Sequence, residues 1–207
     1  MPSVESGPRQ PLEHRERRRN TVSHKAILDA TGQLLAEVGY GQLTIEGVAA
    51  RAGVGKATVY RWWPSKGSLV IEAMSISRSV PLPRDTGNLR DDLLGAVRRV
   101  IHLLTDSPEG TLIAALAADL VRDPALAKQF RQQILYPRRS IATDIVRRAV
   151  ERGELPPDLD VELLLDVYAG AVFYRQVVSG VPVTDNLAEQ LVGLLLDGAK
   201  PVRPSPA

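Results

Sequence analysis

Apolar positions recur at helical spacing along most of this chain, and no stretch alternates with the period of a strand. Ile27, Thr31, Leu34, Leu35 and Val38 fall on one face, which predicts a helix over 22–38 ended by Gly39. Ile45, Val48 and Ala49 then repeat three and four apart behind Thr44, an N-cap residue, and Gly53 stops that helix. Val54 plugs the turn. A second short helix is expected from Gly55 or Lys56 to Pro64, which has no N–H and disfavours helix at the residue before it. Ser65 caps a further helix through Leu69, Val70 and Met74.

Pro81, Pro83 and Gly87 mark a boundary. Beyond it, Leu89, Leu93, Val97, Val100, Ile101 and Leu104 form an amphipathic stripe that ends near Ser107 and Pro108. An alanine-rich helix is expected over 111–121. Asp123 as cap with Pro124 at the first helical position starts a helix to about Arg152, through Leu126, Phe130, Ile134, Ile141, Ile145 and Ala149. Pro137 is expected to bend it. Gly153, Pro156 and Pro157 end it. Asp160 opens the most apolar helix, 161–178, and the last helix spans 184–197. The pattern predicts an all-α protein of about nine helices. Its expected parts are an arm (1–20), a three-helix N-terminal domain with its linking helix (21–75), a larger helical domain (76–200) and a tail (201–207).

The segment from Thr44 to Leu69 carries the most chemistry. It is a capped helix, a glycine turn, and a short helix bearing Lys56, Ala57, Thr58, Tyr60, Arg61 and Trp62. This order is a helix-turn-helix, whose second helix enters the major groove of DNA. Lys56 suits a guanine edge or a phosphate, Ala57 a thymine methyl, and Thr58 a base or a phosphate. Arg61 suits bidentate reading of guanine.

Charge supports this reading modestly. The formal net charge is +2. Residues 1–75 hold 10 Lys or Arg against 7 Asp or Glu, and the remainder 16 against 17. The excess therefore lies on the helix-turn-helix side. Arg15, Arg17, Arg18 and Arg19 form a basic run in a segment without apolar periodicity. That segment is expected to be disordered alone, either as a solvated tail or as an arm along DNA.

The chain also resembles the TetR family of bacterial transcription regulators. Thr44, Ile45, Val48, Ala49, Ala52, Gly53, Val54, Gly55, Thr58, Val59, Tyr60, Lys66 and Leu69 match the family's helix-turn-helix pattern. Trp62 stands where the family often has His, and Trp63 where it usually has Phe. Gly47 stands where a charged residue is usual, at a cost of about 1 kcal/mol relative to Ala. LVRDP at 120–124, RAVERGEL at 148–155 and Asp158–Asp160 look like a common C-terminal subgroup of the family. The resemblance implies phosphate contacts from Thr44, Tyr60, Trp62 and Lys66, with Trp63 kept in the core. It also implies a transcriptional repressor released from a palindromic operator by a small-molecule effector.

A homodimer follows from the resemblance and from helix 161–178, which is apolar nearly all round. The expected interface comprises Leu164, Tyr168, Leu187, Leu191, Leu194 and Leu195. The effector pocket is expected in the larger domain. Phe130, Tyr136, Tyr168 and Phe173 are its candidate lining, with His102, Asp119, Gln133 and Arg175 as candidate anchors. No cofactor, metal site or enzyme activity is expected: His14, His24 and His102 are scattered, and no HExxH, phosphate loop or nucleophile elbow occurs. There are no cysteines, no secretory leader and no run of about 18 apolar residues, so a cytoplasmic location is expected.

Overall fold

The computed structural model describes residues 12–76, 85–184 and 186–198, with side chains from Asn20 onward. Residues 1–11, the Pro81–Pro83 part of the expected boundary and the 201–207 tail lie outside the described residues. Every regular element described is helical. Two compact units divide after Ile76.

The first unit holds α1 (Leu12–Gln42), α2 (Ile45–Arg51), α3 (Lys56–Tyr60) and α4 (Lys66–Ile76). Helix α1 begins ten residues before the position that periodicity predicts, so residues 12–20 continue it toward the N-terminus. Glu and Arg, which fill much of this stretch, have good helix propensity, and adding turns to a nucleated helix is far easier than starting one. Gly39 breaks α1 with φ 72°, ψ 175°, and one turn of helix follows it. Ile27, Val48, Val59, Trp63, Leu69, Val70 and Ile71 are almost wholly buried and form the core of the unit.

The second unit holds α5 (Leu89–Thr105), α6 (Pro108–Arg122), α7 (Pro124–Phe130), α8 (Tyr136–Glu151), α9 (Val161–Tyr174) and α10 (Asn186–Gly198). The bend expected at Pro137 takes a specific form. Residues Arg131–Leu135 make a π-helical turn, and the Tyr136 N–H donates to the Arg131 carbonyl. The widened turn sits just ahead of a residue that has no N–H to give. Helices α7 and α8 are thus one continuous rod, and the ten α-segments described make nine rods. A second π-turn, Arg175–Ser179, extends α9 until Gly180 ends it at φ 66°.

Asn88, Asp123 and Asp160 cap α5, α7 and α9 by accepting backbone N–H bonds. Leu93, Val97, Ile145, Val146, Leu165, Val172 and Val192 are the buried centre. Helices α5 and α6 meet closely at their shared corner. A Cβ on Gly110 would lie 2.3 Å from the Leu104 carbonyl oxygen, which α5 backbone cannot yield. Gly110→Ala is therefore expected to destabilise the protein by about 3 kcal/mol, the upper range for overpacking. Thermal melting is the check, and an unchanged Tm would contradict the packing described.

Candidate nucleic-acid interface and the cavity of the second unit

The candidate surface is built on a capped and tightly turned base. Thr44 caps α2 by accepting the Gly47 N–H at 3.1 Å. A Cβ on Gly47 would stand 3.2 Å from the same hydroxyl, so glycine leaves the cap undistorted. The turn after α2 uses Gly53 at φ 67°, and the Val54 N–H returns to the Ala49 carbonyl at 3.0 Å. This is a left-handed C-cap that only glycine enters freely. Helix α3 has five residues and turns inward on Val59, which is fully buried. Its other positions face out: Lys56, Ala57 and Tyr60 are exposed, and Thr58 is half-buried.

Arg61 and Trp62 lie just past the end of α3 rather than inside it. Both are exposed, and both are held by α1. The Arg61 guanidinium donates to Asn20 Oδ1 at 3.1 Å and lies 5.8 Å from the centre of the Trp62 ring. One turn further along α1, His24 stacks on Trp63 at 4.8 Å and meets the edge of Trp62 at 4.9 Å. Trp63 is the anchor. It is 1% exposed, and its indole N–H donates to Glu72 of α4 at 2.8 Å. The other Glu72 oxygen contacts His24 Nε2 at 3.0 Å. One carboxylate therefore ties α4, α1 and the end of α3 together. Asn20, His24 and Glu72 were not singled out by sequence, because their partners are distant in the chain and leave no local signature.

The cations differ in how freely they can serve DNA. Lys56 pairs with Glu46 at 3.0 Å, both side chains being more than half exposed. That hydrogen bond holds Glu46 below the usual carboxylate range and Lys56 above its ordinary value. Exposed pairs of this kind are weak, so Lys56 can exchange Glu46 for a phosphate or base. Lys66 is half-buried and already engaged: its Nζ donates to the Tyr40 carbonyl at 3.0 Å and sits 4.3 Å from the centre of the Tyr40 ring. It closes the segment after the Gly39 break as well as presenting charge.

A cavity of about 520 Å³ lies in the second unit, between α5, α6, the α7–α8 rod and α9. Of the residues expected to line a pocket, Phe130, Tyr168 and Phe173 do so. Tyr136 does not; it is 54% exposed, because the π-turn just before it changes the facing of the helix. The expected anchors lie elsewhere. His102 is exposed and pairs with Asp106 at 3.1 Å. Asp119 is half-buried outside the lining. Gln133 accepts from Gln129 at 3.4 Å, and Arg175 donates to the Pro182 carbonyl at 3.2 Å. The polar residues that do line the cavity are Arg138, Arg139, Asp166 and Tyr168. Among the described residues no group of three or more potential metal ligands forms, and no helix is long and apolar enough to cross a membrane.

The expected interface set also divides. Leu164, Tyr168, Leu187 and Leu191 are 3–6% exposed and belong to the protomer's own core, so they are not on an accessible face. The outward apolar positions of α9 and its π-turn are Leu163, Val167, Tyr174, Val177 and Val178; on α10, Leu194 is 71% exposed and Leu195 half-buried. The inward set on α9 is 164, 165, 168 and 172, so Leu163 and Val167 each precede an inward residue by one.

Residues 27–73 match a family model described as bacterial regulatory proteins, tetR family, and residues 83–195 match one described as tetracyclin repressor-like, C-terminal domain. The chain is 35% identical over 180 residues to the HTH-type transcriptional regulator YdeS of Bacillus subtilis (strain 168), covering 86% of this chain and 90% of that one. It is 31% identical over 179 residues to the DNA-binding transcriptional repressor TetR of Mycobacteroides abscessus, covering 84% and 92%. The crystal structure of the TetR family transcription regulator SCO0332 is similar with a TM-score of 0.72 and 39% identity, over 86% of this chain and 99% of that chain.

His24→Ala is expected to shift tryptophan emission to the red and to weaken DNA binding about five- to tenfold, since a ring pair of this kind contributes about 0.5–1.5 kcal/mol. Emission spectra and DNA titration check it, with circular dichroism to confirm folding. Unaltered emission with unaltered binding would remove His24 from the reading surface.

Proposed function

The chain belongs to the TetR family of DNA-binding transcriptional regulators, and on that premise we propose that it is a homodimeric repressor of a palindromic operator, released by a small molecule. Its family and relatives are regulators rather than enzymes. The observation that carries the proposal is the outward face of α3 and its end, where Lys56, Ala57, Tyr60, Arg61 and Trp62 stand exposed on a buried Val59–Trp63 base. Arg61 reads a base edge; Thr44, Tyr60, Trp62 and Lys66 position the phosphates; Lys56, Ala57 and Thr58 serve either contact. Phosphate contacts make the affinity steeply salt-dependent.

One such surface reads only a few base pairs, so two-fold pairing supplies the remaining affinity. The exposed stripe Leu163, Val167, Tyr174 and Val178 on α9 with its π-turn, together with Leu194 on α10, supports a second copy as its cover. The cavity of the second unit supports a ligand site, being lined by four helical elements and largely apolar. A ligand that binds one of two dimer states better shifts the population and with it the operator affinity.

Selection of bound fragments from a random duplex pool tests the DNA reading. A palindrome is expected, and Arg61→Ala should relax preference at one base position per half-site, by about 1–3 kcal/mol. Recovery of no enriched palindrome at low salt would contradict the proposal. The interface is tested by sedimentation. Val167→Glu and Leu194→Glu are expected to give folded monomers, whereas Leu191→Glu, which places a charge in the core, should unfold the second unit. Folded dimers from both surface variants would locate the interface elsewhere.

A further inference from the structure

The cavity of the second unit has a distinct charge balance. Its walls are aliphatic and aromatic, with Val100, Leu104, Ile113, Phe130 and Phe173 among them. Two guanidinium groups reach it, and each already has a carboxylate. Arg138 pairs with Glu109 across to α6, both side chains being three-quarters buried or more. Arg139 pairs with Glu162 and Asp166 of α9. Burial works against the Arg139 charge, but Asp166 and Glu162 outweigh it and hold the group above its ordinary range. An anionic ligand would have to displace one of these carboxylates or meet it at close range. A cationic ligand would meet the guanidinium groups. Neither sign of charge finds an open counterpart.

Apart from the Arg138 Nε, which is itself buried without a hydrogen bond, one lining group offers a donor with no protein acceptor. Tyr168 is 4% exposed, lines the cavity, and its hydroxyl forms no hydrogen bond among the described residues. Burial pushes the phenol up to about 12, against a smaller opposing effect of Arg139, so the group stays a neutral donor. The hydroxyl therefore faces the cavity with its proton free for whatever fills it, water or a ligand that displaces water. A ligand acceptor placed at that hydroxyl would gain an ordinary hydrogen bond, and a ligand without one would leave the donor unpaired once water is expelled.

We propose that the ligand of this cavity is an uncharged, mainly apolar molecule carrying a hydrogen-bond acceptor such as a ketone, ester or quinone oxygen, and that the Tyr168 hydroxyl donates to that oxygen. This rests on reading the cavity as the effector site, and it adds the chemical class and the residue that selects it. The two arginine clasps act as a charge filter: each guanidinium is already matched by a carboxylate, which leaves Tyr168 as the donor for a neutral acceptor.

Three naphthalene probes of one ring system separate the possibilities. They are 6-propionyl-2-(dimethylamino)naphthalene, which is a neutral ketone; 6-(dimethylamino)-2-naphthoate, its anionic counterpart; and 2-(dimethylamino)naphthalene, which lacks the acceptor. Each is titrated into the full-length protein by fluorescence. The ketone is expected to bind with blue-shifted emission, about tenfold or more tighter than the naphthoate. Tyr168→Phe should weaken the ketone about three- to tenfold, the span of one ordinary hydrogen bond, and leave the acceptor-free probe unchanged. Equal or tighter binding of the naphthoate, no binding of the ketone at its solubility limit, or equal effects of Tyr168→Phe on ketone and acceptor-free probe would each overturn the proposal.

Ala117→Phe and Ala169→Phe fill the cavity from opposite walls and keep the two failures apart. Loss of ketone binding in either folded variant assigns the probe to the cavity and supports the proposal. Undiminished binding in both folded variants would overturn the effector-site reading itself. Loss in either variant, combined with a preference for the naphthoate, would leave that reading standing and overturn the ligand class alone.

Discussion

A buried indole needs an acceptor, and the helix-turn-helix of this protein is arranged around that need. Trp63 is sealed in the core of the first unit and its N–H reaches Glu72 on α4. Because Glu72 also contacts His24, the same carboxylate fixes α1 against the end of α3. His24 then bears on the exposed Trp62, and Asn20, one turn earlier, holds Arg61. A five-residue helix has little stability of its own. Its orientation comes from this network, from Val59 beneath it and from the Gly53 turn before it.

Helix α9 carries a comparable load in the second unit. Leu164, Leu165 and Val172 face the core, Tyr168 and Phe173 line the cavity, and Leu163, Val167 and Tyr174 face outward. An occupant of the cavity therefore touches the same helix that offers the apolar outer stripe. A ligand that altered the α9 orientation would alter both surfaces together, which is the coupling proposed above, without a separate relay.

Much of this was legible in the sequence, for local reasons. Caps at Thr44, Ser65, Asp123 and Asp160, stops at Gly53 and Gly153, and three-and-four spacing of apolar residues are properties of neighbours in the chain, and they mark most helix boundaries. The start of α1 was not legible because propagation of an existing helix needs no apolar stripe. Facing was harder still. A helix apolar on all sides has no preferred inward face in its own sequence, so Leu164 and Leu187 were expected outside and are in the core. Tyr136 was misfaced for a different reason: a π-turn adds one residue to a helical turn and shifts every later position. Asn20, His24, Glu72, Arg138 and Arg139 depend on partners far along the chain, and only the folded chain brings those together.

Hydroxyl-radical footprinting on a selected operator fragment tests the central claim most directly, since it reports where and with what symmetry the protein meets the sugar–phosphate backbone. The expected result is two equivalent protected regions related by a two-fold axis, centred a whole number of helical turns apart, roughly 34–36 Å or a multiple of it. Both regions should vanish together when Trp63 is replaced by Ala, because the reading surface loses its anchor. A single unsymmetrical footprint, or protection that survives Trp63→Ala unchanged, would contradict the account.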